Sequence, residues 1–186
     1  HYVDQNGDHR IDSKDRVALG SAAPDFFGGF YTQFKYKGFA LGAEFSYSKG
    51  NMAYNAVRNQ LEGMNTLGNQ SIAVLNRWSL DGQVTNMPRV QHNDPYRSTS
   101  FSERWLEDAS YLRMKSVTLS YSFDKTVLNF FRSGTLYVSG ENLLTATKYL
   151  GLDPEFSYSY GETSQGLDYA KMVQPKSVKF GVNLKF

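Results

Sequence analysis

The last ten residues, SVKFGVNLKF, alternate without a break. Val178, Phe180, Val182, Leu184 and Phe186 are apolar, while Ser177, Lys179, Gly181, Asn183 and Lys185 are small, polar or charged. A period of two residues predicts a strand with one apolar and one wet face. The pattern recurs upstream. In FALGAEFSYS, Phe39, Leu41, Ala43, Phe45 and Tyr47 oppose Ala40, Gly42, Glu44, Ser46 and Ser48. In FYTQFKYK, Phe30, Thr32, Phe34 and Tyr36 oppose Tyr31, Gln33, Lys35 and Lys37, and a tight turn at Lys37–Gly38 joins these two runs as a hairpin. SVTLSYSF sets Val117, Leu119, Tyr121 and Phe123 against four hydroxyl residues, and TLYVSGEN sets Leu136 and Val138 against Thr135, Tyr137 and Ser139. Predicted strands therefore cover about 29–37, 39–49, 111–123, 134–142 and 176–186.

Alternation alone fits either a soluble sheet over a core or a barrel in lipid. The wet faces carry Ser, Thr, Gly, Gln, Lys and Glu, which suits a water-filled lumen. The apolar faces end in aromatics, as the interface girdles of a membrane barrel do. The connections add a second asymmetry. The Lys37–Gly38 turn and the segment 124–133 are short, while 50–110 and 142–175 are long. Outer-membrane barrels keep short turns inside and long loops outside. The fold class expected is all-β: C-terminal strands of a large antiparallel transmembrane β-barrel with long, partly helical extracellular loops. Residues 1–25 are read as an outer loop and 26–186 as barrel. Helical spacing in 53–64 (Val57, Leu61) and 69–78 (Ile72, Val74, Leu75) predicts short helices packed over the rim. Five strands do not close, and an open edge is not tolerated in lipid, so further strands are expected to complete the barrel.

Composition changes this picture little. The 186 residues carry 15% aromatics, with 13 Tyr and 13 Phe, which is rich for a soluble domain. A formal charge of +2 from 20 basic and 18 acidic residues argues against a nucleic-acid partner. The absence of cysteine excludes disulfides and thiolate metal sites. No apolar run approaches a transmembrane helix, and the polar opening HYVDQNGDHR is not a signal peptide.

The best chemical motif is DQNGDHRIDSKD. Read as a calcium loop, it places Asp4, Asn6, Asp8, Asp12 and Asp15 at positions 1, 3, 5, 9 and 12, with the Arg10 carbonyl at position 7. His9 stands where such loops use glycine, and the last ligand is the shorter Asp. The competing reading is a metal-free turn rich in Asx residues. Trp78, Trp105, Tyr158 and Tyr160 lie in or beside outer loops, as candidates for stacking on substrate or for packing the loops together. Three scattered histidines and no nucleophile elbow, phosphate loop or zinc spacing argue against an enzyme.

RWLEDASYLRMKSVTLSYSF (104–123) and VSGENLLTATKYLGLDPE (138–155) closely resemble the SusC/RagA family of TonB-dependent transporters. So do NRW at 76–78, PR at 88–89, the terminal GVNLKF, and DQNGDHRIDSKDR followed by PDFFGGF. The matches run in the family's order along nearly the whole chain. The resemblance implies a bacterial outer-membrane barrel of about 22 strands with a plugged lumen. It implies a SusD-like surface lipoprotein as lid, glycan or peptide cargo, and energy from the TonB complex. The terminal aromatic Phe186 is similar to the assembly signal of outer-membrane barrels. A passive porin, a siderophore-type receptor and a secretion or anchor barrel are the alternatives.

Overall fold

The computed structural model describes residues 2–95, 97–124, 132–156 and 165–186. In chain order the elements are β1 (Phe26–Tyr36), β2 (Phe39–Lys49), β3 (Met52–Asn55), α1 (Ala56–Glu62), β4 (Leu106–Asp108), β5 (Tyr111–Asp124), β6 (Ser133–Thr147), β7 (Leu167–Asp168) and β8 (Ser177–Lys185). Five of them form one antiparallel sheet in the order β1-β2-β5-β6-β8. The hairpin turn is built as expected. Lys37 and Gly38 both take positive φ, 44° and 85°, the geometry that twists a two-residue loop in the strands' own sense. A side chain on Gly38 would also sit 2.8 Å from the Ser122 carbonyl of the neighbouring strand.

Register settles which residues share a face. Phe30 pairs with Phe45, Phe34 with Leu41, and Leu41 with Leu119, which faces Val138 and then Phe180. One face of the sheet is therefore apolar across all five strands, with Phe30 stacked on Phe45 at 4.7 Å and Phe39 tilted against Tyr121 at 4.6 Å. This face is uncovered: Phe34 is 68% exposed and Phe180 is 82% exposed. Among the described residues no apolar side chain of this five-stranded sheet is buried; Ala53, Ala56, Met64, Val74, Met87, Trp105, Ala109 and Tyr149 all lie outside it, in β3, α1 and the connections. A sheet over a soluble core would show the reverse. From Phe26 to Tyr36 the apolar face runs roughly 34 Å along the strand, or about 26 Å of height at a tilt near 40°, close to the apolar band of outer-membrane barrels.

The opposite face carries Gln33, Lys35, Glu44, Ser116, Thr118, Ser139, Glu141 and Lys179, with Lys179 and Ser177 both donating to Glu141. Two tyrosines on this face lie over glycines of the next strand. Tyr31 covers Gly42 and Tyr137 covers Gly181, where a Cβ would come within 2.7 and 2.1 Å of the ring or its hydroxyl.

One feature departs from simple alternation. Glu44 pairs with Ser116 but Phe45 pairs with Met114, so Lys115 is an extra residue, a β-bulge. Below it the odd positions of β5 are apolar; above it Met114 and Leu112 take that face, and Arg113 and Tyr111 turn to the wet side. On β6, Asn142 and Leu143 are the two extra residues at this level, with Asn142 at φ 52°. Two extra residues preserve parity, so Leu144 and Ala146 stay on the apolar face. Here β6 runs to Thr147, five residues beyond the expected 142, because the irregularity hides the strand's continuation.

The long connections share one end of the sheet, together with residues 2–25. They are knitted by a small second sheet in the order β4-β3-β7. The helix expected over 53–64 is shorter, because 53–55 belong to β3; Asn55 caps α1 by accepting the Arg58 amide at 2.9 Å. The helix expected over 69–78 reduces to a 3-10 turn, Ile72–Asn76. Val74 is buried there, but Ile72 and Leu75 point outward and do not pack on the rim. Most of the 124–133 connection lies outside the described residues.

Candidate functional site

The strand ends that carry the long connections, with the loops above them, form a collar at one end of the sheet. Two arginines organise it. Arg58 of α1 donates from Nε to Glu62 at 3.0 Å, from Nη1 to Glu107, and from Nη2 to the Arg104 carbonyl at 3.1 Å. Glu107 also accepts the Leu150 amide at 2.8 Å, so this hub ties the first long loop to the second. Burial alone would lower the Arg58 pKa, but Glu62 and Glu107 more than offset it and hold it above its ordinary value. Nearby, Tyr149 donates to Asp168; burial and that carboxylate push the phenol far up, so it stays a donor.

The second hub is Arg113, turned inward by the bulge and only 3% exposed. Its Nη2 donates to Asp153, its Nη1 to Glu155 at 3.1 Å, and its Nε to Thr145 Oγ1 at 3.1 Å. Lys115 reaches the same Glu155 at 2.7 and 2.8 Å. Asp153 is further held by the amides of Glu155 and Gln174, at 2.9 and 3.1 Å. The bulged strand thus clamps the segment 153–155 onto the wet face. Beside this clamp a cavity of about 530 Å³ opens between Phe27, Ser46, Tyr111, Glu155, Phe156 and Gly166.

The candidate aromatics are placed differently from one another. Trp105 is 1% exposed and packed between the guanidiniums of Arg58 and Arg104, at 5.4 and 4.9 Å from its ring, so it presents no face to a ligand. It is the keystone of the collar. Trp105→Ala is expected to cost about 3–5 kcal/mol of local stability, seen as faster proteolysis within 50–110 while the sheet stays protected. Trp78 is half-buried under Arg89, 5.8 Å from its ring. Tyr158 and Tyr160 lie outside the described residues. Phe186 follows β8 at the end opposite the collar, 82% exposed.

The Asp4–Asp15 loop is a chain of Asx turns. Asp4 accepts the amides of Gly7 and His9 at 2.7 and 2.8 Å, Asn6 that of Asp8 at 3.0 Å, and Asp8 that of Arg10 at 2.9 Å. Asp15 accepts Gln5 and Asp12, each at 2.8 Å, and its pKa is lowered chiefly by those amides. His9 takes φ 61°, the conformation a glycine would supply. The donors have calcium's hard-oxygen chemistry, but their geometry here is that of amide acceptors. No three acidic or imidazole groups among the described residues converge to hold a metal.

Sequence reasoning missed Arg58, Arg113, Asp153 and Glu155 as organisers. The available signal was Arg113 and Lys115 standing two apart in an apolar strand, which places both on one face unless a bulge intervenes.

Comparison with known proteins bears on the whole chain. No protein-family profile matches it. TonB-dependent receptor P3 of Formosa agariphila is 32% identical over all of the chain, which spans 19% of that receptor. TonB-dependent receptor SusC of Bacteroides thetaiotaomicron is 26% identical, again over all of the chain and 17% of the receptor. Among solved structures, the RagAB peptide importer in its open-open state superposes with a TM-score of 0.77 at 28% identity, covering 100% of this chain and 20% of that one. The closed-closed state gives 0.73 at 26% identity, covering 96% and 20%. The chain therefore spans about a fifth of the length of these relatives.

Proposed function

We propose, since this chain belongs to the SusC/RagA family of TonB-dependent receptors, that it forms closing strands and outer collar of a barrel importing large nutrients across the outer membrane. The observation that carries this reading is the sheet's uncovered apolar face backed by a wet one, with every long loop at one end. Such a sheet is stable where hydrocarbon covers one side and water or a plug the other. The cargo proposed is glycan or peptide, the lid a SusD-like surface lipoprotein, and the energy source the TonB complex. The lid rests on the resemblance to the SusC/RagA family, and a peptide cargo is supported by the RagAB peptide importer, onto a fifth of which this chain superposes.

Inactivating the gene of the full receptor is expected to abolish growth on its glycan or peptide cargo. Purification from native membranes is expected to recover it with a surface lipoprotein. Recovery as a lone small pore that leaks solutes passively would replace this reading with a porin. Growth loss limited to iron starvation would favour a siderophore receptor, and no uptake defect would favour an anchor or secretion barrel.

The Asp4–Asp15 loop enters as a brace of the collar. Calcium uptake there requires carboxylates to turn from the amides that now hold them. Calcium, and not magnesium, is expected to protect residues 2–15 of the full receptor from proteolysis; equal cleavage in both removes the metal from this reading.

A further inference from the structure

The apolar face does not end flush with the strands. At the collar end a groove of about 580 Å³ opens, floored by Phe26, Tyr47, Leu112 and Ala146 and rimmed by Lys49 and Lys148. The floor residues come from four successive strands, and Tyr47 pairs with Leu112, which pairs with Ala146. Each belongs to the apolar face by register. Below them Phe45, Met114 and Leu144 continue that face without a polar break, so the floor is the top of the hydrocarbon-facing band. The small Ala146, one step above Leu144, makes the depression.

The rim is cationic. Lys49 lies 4.0 Å from Asp108, with both side chains about half exposed, and Lys148 makes no ion pair among the described residues. Ser110 keeps Asp108 ionised by hydrogen bonding, including its amide at 2.9 Å. Two lysines against one carboxylate leave a net positive charge. The serine and threonine hydroxyls nearby are already engaged: Thr147 donates to the Ser110 carbonyl at 2.8 Å, Ser48 to Asn51 at 2.8 Å, and Ser110 accepts the Gly50 amide at 3.0 Å. Recognition of an anion therefore falls to the lysines, whose long stems can lie along the apolar wall with their ammonium groups above it.

We propose that this groove holds an acylated lipid of the surrounding leaflet with a net-anionic phosphate headgroup, its chain on the Phe26–Ala146 floor and its phosphate between Lys49 and Lys148. Basic pockets at membrane depth select anionic headgroups in this way. The proposal rests on the membrane reading above, and its test separates the two.

Full receptor, delipidated in mild detergent, is offered phosphatidylglycerol or phosphatidylcholine of identical chains, and adducts are counted by native mass spectrometry. One phosphatidylglycerol is expected to be retained over phosphatidylcholine. The Lys49→Ala/Lys148→Ala variant is expected to retain it roughly tenfold to thirtyfold less well. Lys35→Ala, on the wet face, is expected to change nothing. Equal retention of both lipids, or equal retention by the double variant, overturns the groove and leaves the membrane reading standing. A receptor that stays monodisperse without detergent and binds neither lipid overturns both. A second copy or another protein released by the double variant also overturns the lipid assignment.

Discussion

An arginine at position 117 is expected to block assembly of the full receptor, and an arginine at position 118 to leave it intact. The two positions are adjacent, so they differ in little but the side of the sheet they face. Val117 lies between Ala43 and Gly140 on the apolar face, near the middle of the band bounded by Phe26 and Tyr36. A guanidinium there sits in hydrocarbon, at a cost of about 2–4 kcal/mol near the midplane of a barrel. That is a large share of the 5–15 kcal/mol that holds a typical domain folded. Thr118 lies between Gly42 and Ser139, beside Glu44 and Lys179 on the wet face, where substitution typically costs within about 0.5 kcal/mol. Electrophoresis of unheated membranes, in which folded barrels migrate compactly, reads the difference. Equal effects at the two positions, or the reverse order, would remove the assignment of faces on which the transport reading stands.

The strands were legible because alternation is a local property. Each run from Phe30 to Phe186 shows its two faces within eight or ten residues, and pairing only confirms them. What local pattern could not show was the bulge at Lys115. Counting by twos from Val117 puts Lys115, Arg113 and Tyr111 on the apolar side. The extra residue reverses this, and the reason is visible only in the registers with β2 and β6. The same irregularity hid the last third of β6. In the loops, helical spacing misled, because Ala53 to Asn55 gain more from pairing with β4 and β7 than from extending a short helix.

The collar was the least legible part, for a physical reason. Arg113 and Asp153 are 40 residues apart, and nothing local marks them as partners. In sequence their segments carry only the resemblance to a family. The structure gives those stretches a physical purpose: one supplies the bulged strand and its two cations, the other the two carboxylates they hold. In sequence Trp105 is an aromatic of a long loop, and whether such a ring faces a ligand or packing depends on Arg58, far off in sequence.

Arg113 supplies the second large effect. Arg113→Ala removes the cation but leaves the Asp153 carboxylate, 8% exposed, among neighbours that excluded water around a pair. Breaking a buried pair from one side costs about 3–5 kcal/mol, so residues 148–156 and the chain near Gln174 are expected to detach and be cleaved first by protease. The pH dependence gives a sharper signature. In the native protein burial pushes the Asp153 pKa up, but Arg113 and the amides of Glu155 and Gln174 outweigh it and hold the carboxyl below its ordinary value. A depressed folded pKa contributes stability above the unfolded value, and that stability is lost as pH falls through the folded one. The native clamp is therefore firm at neutral pH and loosens only below the ordinary aspartate range, under about pH 4. Without Arg113 the burial penalty faces only the two amides, and the carboxyl is expected to rise above its ordinary value. The sign then reverses: protection of the segment improves as pH falls from 7 towards 5, and Arg113→Ala combined with Asp153→Asn removes the dependence. Proteolysis of the full receptor at both pH values measures this. Protection that stays flat with pH in Arg113→Ala would show that the loop is held by packing rather than by the ion pair.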